Sequence, residues 1–444
     1  MSCTQQKDGW NLGHTIFLQI LVNPSDNCFR QRPQDWPMKT LLFVACSLIA
    51  AVVSVLSLRG GAVPANLVEQ ATSTNQNAAR RAHDQLRESG PQGLVLLEKR
   101  FAKEISARRR GSSSNDRWTR ISAALDRVGG QYDNYASGLY WYTDLEKAKA
   151  AARATGRPIL SLRLLGHLDE DLSCANSRFF RTTLYPDAEI NKLLKERFIL
   201  HWQSVRPAPR VTIEFGDGRK LQRTITGNSI HYILDADGRF VDALPGLYGA
   251  PVFKAELQQT ADAIEQIKAS PSTYAAYRNS QQQRLLNAWA ADVATLKGGM
   301  PARGTLTEAE LEHSTSDGRW QQIAELHWNN VIFDPNVRQL VATKFPDAQK
   351  AAPIATSKMS VENPMLRVFG NLSRTTSLDT VRNNYLLRTR ILAQMNDAES
   401  QKWSLAQLND WVYAQIFLTP NQDPWLGLAP PDVFAAIDGN GKGR

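Results

Sequence analysis

GRPILSL, residues 156–162, is the stretch that decides the fold of this chain. Its glycine ends a helical pattern, and its proline begins a short apolar run. A short apolar run bounded by turn residues predicts a buried strand. A strand that directly follows a helix indicates an α/β fold.

The elements around this strand follow the order α-β-α-α-β-hairpin-β-β-α. The preceding helix is predicted to begin with Thr143 as its cap and to run through Ala154. Later patterns predict helices at 174–183, 187–197 and 252–267, strands at 198–202, 230–234 and 240–244, and a hairpin at 211–225. These elements predict a domain at 139–268 with a central mixed sheet flanked by helices.

The rest of the chain predicts four further segments. Residues 66–128 are interpreted as a helical spacer, and residues 269–444 as an all-α domain rich in Trp. Residues 41–58 are apolar and uncharged, so segment 38–65 is either a secretory signal peptide or an uncleaved membrane anchor. Residues 1–37 are polar and patternless, and we interpret them as a disordered or non-native extension. Either interpretation of segment 38–65 predicts an extracytoplasmic protein of the periplasm or cell envelope.

Charge and motifs narrow the function classes. The net charge is +9, but the densest basic run, residues 108–110, leads into serines and is typical of a solvated linker edge. We therefore expect no nucleic-acid partner. The sequence contains no P-loop, no dinucleotide fingerprint and no Gly-x-Ser-x-Gly motif, and we expect no cofactor.

Three histidines are the candidate zinc ligands of the predicted domain. His167, His201 and His231 would need to converge with a carboxylate such as Asp169 to bind zinc. Histidines on strands and loops more often have ordinary hydrogen-bond partners. We therefore predict no metal site.

The cysteine pattern singles out one thiol. Cys3, Cys28 and Cys46 precede residue 65, which leaves Cys174 as the one cysteine of the exported part. Cys174 begins a predicted helix, where unpaired N–H groups and the helix dipole favour a thiolate. Ser177, one turn further on, can donate a hydrogen bond to the sulfur. The acidic run at 169–171 acts in the opposite direction, because it disfavours a further negative charge.

The unit at 139–268 resembles the thioredoxin superfamily, and in particular its exported members whose domains open with a Trp and a helix. The residues that carry this resemblance are Trp141, 144–148, 156–160, Cys174, Ser177, 195–199, 230–240 and 246–249. The resemblance implies a thioredoxin-like fold with its site at Cys174. Ser177 stands where the family has a second cysteine, and Ser229 stands in the loop where the family has a cis-proline beside the substrate groove.

Two functions remain open from the sequence. The first is monothiol disulfide exchange, in which Cys174 attacks a disulfide of an envelope protein or a small thiol compound and Ser177 stabilises the thiolate. The second is a non-catalytic thioredoxin-like module for protein interaction or assembly. A membrane contact is expected through residues 41–58 if that segment is uncleaved.

Overall fold

A computed structural model describes residues 65–224, 227–267, 270–296, 317–327, 334–344 and 372–423. The predicted extension at 1–37, the apolar run at 41–58 and Cys3, Cys28 and Cys46 lie outside these residues. Within the described part of the chain, no helix is long and apolar enough to cross a membrane.

Helices precede the sheet. They are α1 (Ala65–Gln70), α2 (Gln76–Glu88), α3 (Pro91–Arg100), α4 (Ala102–Arg109), α5 (Asp116–Gly129) and α6 (Asn134–Ser137). Apolar side chains such as Leu86, Leu97 and Leu125 form a buried core between these helices, and Leu340 from the C-terminal part also belongs to it. The segment predicted as a spacer is thus helical, and it is folded into a compact layer rather than an extended coil. Arg87 joins this layer to the first strand, because its guanidinium donates to the Trp141 carbonyl over 2.9 Å.

Seven strands form two sheets in the described residues. They are β1 (Trp141–Tyr142), β2 (Ile159–Leu165), β3 (Ile199–Arg206), β4 (Arg210–Glu214), β5 (Lys220–Thr224), β6 (Ser229–Leu234) and β7 (Phe240–Pro245). The main sheet has the order β1-β3-β2-β6-β7, and β4 and β5 form a separate hairpin. Strands β1 and β2 run parallel to β3, whereas β6 runs antiparallel to β2 and β7. The predicted α/β class with a central mixed sheet flanked by helices is confirmed.

The central strand β2 explains why the sheet has two covered faces. All seven of its residues are buried. Because strand side chains alternate, Leu160, Leu162 and Leu164 enter one apolar core while Ile159 enters another. The stretch 156–162 thus supplies apolar side chains to both faces of the sheet.

Helices cover the sheet between its strands. They are α7 (Leu145–Thr155), α8 (Ala175–Phe179), α9 (Ala188–Arg197) and α10 (Ala250–Gln266). The predicted cap of α7 is wrong by one residue. Asp144 caps it instead of Thr143, because a carboxylate oxygen of Asp144 accepts from the backbone N–H groups of Glu146 and Lys147. The helix ends before Gly156, which has a φ of +70° that suits glycine.

The described part of 269–444 is helical. It contains α11 (Pro271–Thr295), α12 (Asp317–Leu326), α13 (Pro335–Lys344), α14 (Leu372–Arg382), α15 (Thr389–Asn396) and α16 (Leu405–Trp411). Trp289 and Trp320 are buried, together with sheet residues such as Ile230 and Tyr232. These helices therefore share one apolar core with a face of the sheet.

A buried ion network also joins the C-terminal helices to the sheet. Arg388 lies in a π-helical turn, Asn383–Arg388, after α14. Its guanidinium contacts the carboxylates of Asp242 at 2.6 Å and Glu256 at 2.7 Å, and all three side chains are buried. Burial lowers the pKa of Arg388, but the two carboxylates together raise it well above its ordinary value. Because the charges are paired, the network is tolerated in the interior.

Candidate thiol site

Cys174 lies at the junction between β2 and α8. Its backbone N–H donates to the carbonyl of Leu165, the last residue of β2, over 3.2 Å. Its side chain caps α8, because the sulfur accepts from the backbone N–H of Ser177 at 3.4 Å. Helix α8 has only five residues before a π-helical turn at Phe180–Leu184 begins. The helical conformation thus continues without a break from Ala175 to Leu184.

The thiol is fully buried. Cys174 has an exposed fraction of 0 % and shares a core with Phe180, Tyr185 and Tyr413. Burial raises the pKa of the Cys174 thiol, and the opposing hydrogen bonds from Ser177 do not cancel this rise. The thiol is therefore protonated at neutral pH, and a protonated thiol is a weak nucleophile.

Ser177 is buried beside the cysteine, and its hydroxyl is used within the loop. The hydroxyl oxygen lies 2.6 Å from Ser173 Oγ and 2.8 Å from the Cys174 carbonyl oxygen. These bonds join both ends of the first turn of α8. Such contacts fix the backbone of the motif.

The acidic run at 169–171 is paired with arginines. Arg181 donates to the Asp171 carbonyl over 2.8 Å and lies 3.5 Å from the Asp171 carboxylate. Arg210 lies 3.3 Å from the Glu170 carboxylate. The run is thus partly neutralised, and burial is the main cause of the raised pKa of Cys174.

Ser229 lies directly against the helix that carries the motif. It is the first residue of β6, it is buried, and its hydroxyl accepts from Asn176 Nδ2 over 2.9 Å. Gly227 permits this approach, since a Cβ atom there would lie 2.7 Å from the Asn176 side-chain oxygen. The structure therefore brings together Cys174, Ser177 and Ser229, with Asn176 as the link that sequence reasoning missed.

Two segments cover the motif loop and its neighbour. Thr224, at the end of β5, donates to the Ser173 carbonyl over 3.0 Å. On the C-terminal side, the Tyr413 hydroxyl donates to the Asn228 carbonyl over 3.0 Å, and the Asn228 amide donates to Thr419. Residues from the C-terminal part of the same chain therefore cover the loop before Ser229.

The three histidines do not form a metal centre. His201 Nδ1 lies 2.9 Å from the Ser161 hydroxyl, and His231 Nε2 lies 2.8 Å from the Tyr185 hydroxyl. Burial lowers the pKa of both His201 and His231 to about 3. His167 is exposed. The described residues contain no group of three or more His, Cys, Asp or Glu side chains that could hold a metal ion.

Arg178 is a second residue that the sequence did not single out. It follows Cys174 by four positions, so the predicted helix at 174–183 already placed it one turn from the thiol. Its Nε and Nη2 atoms are shielded from solvent and have no hydrogen-bond partner. Burial and the charges of Arg181 and Arg223 lower the pKa of Arg178. A guanidinium with two shielded nitrogens that lack a hydrogen-bond partner is unusual in a folded protein.

Comparisons with family models, curated proteins and solved structures give no match to this chain.

Proposed function

We propose that this chain is a non-catalytic thioredoxin-like protein that serves protein interaction or assembly. Support for a thioredoxin-like fold comes from the strand order β1-β3-β2-β6-β7, in which β6 and β7 are the antiparallel strands. Further support comes from a Cys-x-x-Ser motif that follows β2 and faces Ser229 across one hydrogen bond. Cys174 is, in this proposal, a core residue.

The observation that carries the proposal is the burial of Cys174. Disulfide exchange requires the attacking sulfur to approach the target disulfide in line, and it requires a thiolate. The Cys174 sulfur has no exposed surface, and burial raises the pKa of its thiol. Both requirements are unmet in the folded protein.

The experiment is a test for mixed-disulfide formation with oxidised glutathione. Folded protein is incubated with the reagent at pH 7.5, and the Cys174 peptide is identified by mass spectrometry, since other cysteines precede it. We expect no adduct on Cys174 in the folded chain and full adduct formation in urea. Rapid adduct formation in the folded chain would instead support monothiol exchange through Cys174.

The proposed site of action is outside the cytoplasm. This part of the proposal rests on the uncharged apolar run at 41–58. Partners are then proteins of the cell envelope. A reporter enzyme that is active only after export, fused behind residue 65, is expected to be active, and an inactive fusion would contradict this location.

A further inference from the structure

The β4–β5 hairpin presents an apolar face to solvent. Val211, Ile213 and Phe215 are 37 %, 43 % and 53 % exposed. They lie at alternate positions, so they share one face of the ribbon. Ile213 is paired across the hairpin with Leu221, and Val211 with Arg223, which adds both partners to the same face.

The opposite face of the hairpin is also exposed, but it is polar. Its residues are Arg210, Thr212, Glu214, Lys220 and Gln222. A two-stranded hairpin has little stability of its own in water. Because its polar face already suits solvent, the apolar face is the surface that a partner would cover.

The charge on this surface is basic at one end. Within the described residues, ion pairs neutralise Arg210, Arg219 and Lys220. No carboxylate of the described residues pairs with Arg223, whose guanidinium donates only to the Gln222 carbonyl over 2.9 Å. Arg223 is partly exposed and is paired with Val211 across the hairpin, so a cation without an anion adjoins the Val211 end of the apolar face.

We propose that this face, Val211, Ile213, Phe215 and Leu221, binds an extended segment of a partner protein. The segment has apolar side chains at alternate positions, with a carboxylate at the end that meets Arg223. An extended chain repeats its side chains on one face about every 7 Å, which matches the spacing along β4. The carboxylate supplies the anion that Arg223 lacks, so charge complementarity fixes the direction of the segment.

This inference names the partner class of the proposed interaction module and rests on that function. The two can fail separately. The glutathione test concerns Cys174 alone, so a failure of peptide binding with no adduct on Cys174 would remove this inference and leave the proposed function.

The test uses the full chain and two synthetic labelled peptides. In one, valine and threonine alternate over eight positions and two aspartates follow; in the other, two lysines replace the aspartates. Fluorescence anisotropy is expected to show about tenfold tighter binding of the acidic peptide. Equal affinity for the two peptides, or no binding of either, would overturn the proposal.

Variants locate the binding on the hairpin. Ile213→Ser and Phe215→Ser are each expected to weaken binding of the acidic peptide about tenfold, because they remove central apolar contacts. Arg223→Gln is expected to abolish the preference for the acidic peptide. Thr212→Ser and Gln222→Ser, on the polar face, are the matched controls and should leave binding unchanged. A loss of binding in the controls equal to that in Ile213→Ser would contradict the assignment of the face.

Other occupants give distinct results. A dimer in sedimentation that Phe215→Ser disperses would show a second copy on this face and overturn the proposal. Binding to vesicles of phosphatidylglycerol and phosphatidylcholine that Phe215→Ser abolishes would show a membrane contact and also overturn it. We expect neither result.

Discussion

The Cys174 loop and the β4–β5 hairpin adjoin each other, joined by the Thr224–Ser173 hydrogen bond, yet they differ completely in their contact with solvent. The loop contains a reactive residue type, Cys174, whose side chain is fully buried. The hairpin contains no motif for chemistry and exposes three large apolar side chains. In this domain, therefore, the residues that resemble a family motif are not the residues that solvent or a partner can reach.

The largest effect on the buried part of the molecule is expected from breaking the ion network that joins the C-terminal helices to the sheet. Arg388→Met would leave the buried Asp242 and Glu256 carboxylates without their shared cation. We expect the free energy of unfolding to fall by about 3–5 kcal/mol in urea denaturation. Arg153→Met, which removes an exposed ion pair with Asp237, is the control and should cost less than about 1 kcal/mol. Equal effects of the two variants would contradict the assigned role of the network.

Truncating the cysteine tests whether it is a core residue. Cys174→Ala removes the sulfur that accepts the Ser177 N–H and leaves a small void, so we expect a loss of about 1–3 kcal/mol in unfolding free energy. Cys174→Ser keeps an acceptor at the cap and should lose less, since Ser is a favoured N-cap residue. An alanine variant as stable as the unmodified protein would argue against a structural role for Cys174.

Acid titration tests whether the buried histidines stay neutral in the folded protein. His201 and His231 remain neutral in the folded protein because burial lowers their pKa to about 3, whereas in the unfolded chain they bind protons at their ordinary pKa. The unfolded state therefore binds more protons below that ordinary value, and stability falls as the pH drops from there toward 3.

Each histidine should contribute a slope of about 1.4 kcal/mol per pH unit in this range. His201→Asn places a side-chain amide near Ser161 without a titrating group. Urea denaturation at pH 6 and at pH 5 should show that this variant loses about 1 kcal/mol less than the unmodified protein between the two values. If the variant and the unmodified protein lose the same stability between the two pH values, His201 titrates normally in the folded state.

The smallest effect on stability is expected at the hairpin. Ile213→Ser and Phe215→Ser alter side chains that are about half exposed, and each should change the free energy of unfolding by less than about 0.5 kcal/mol. Thermal denaturation followed by circular dichroism measures this. A loss above 2 kcal/mol in either variant, far beyond that expectation, would mean that the apolar face already packs within the folded chain.

Local signals in the sequence predicted much of the fold. Strand β2, the hairpin at 211–225 and the helix after Asp187 were predicted, because each depends on neighbouring residues such as turn glycines and a capping carboxylate. The prediction that Thr143 caps α7 was wrong, because Asp144 is adjacent and both residue types favour the N-cap position.

The burial of the motif could not be predicted from local pattern. Tyr413, which helps to cover the loop before Ser229, is 185 residues from Asn228 along the chain. The alternation of apolar and polar residues from Val211 to Phe215 likewise predicts a half-buried strand. Only the folded chain shows that the apolar half of this strand faces solvent.

The most direct test of a buried, non-catalytic Cys174 is its rate of alkylation by iodoacetamide in the folded protein, measured on the Cys174 peptide by mass spectrometry. If labelling requires transient unfolding, the folded chain should react at least about 1,000-fold more slowly than the chain in urea. The rate should also rise with urea before the unfolding transition. Labelling of the folded protein as fast as the unfolded one, with a midpoint below the ordinary thiol pKa, would contradict this account.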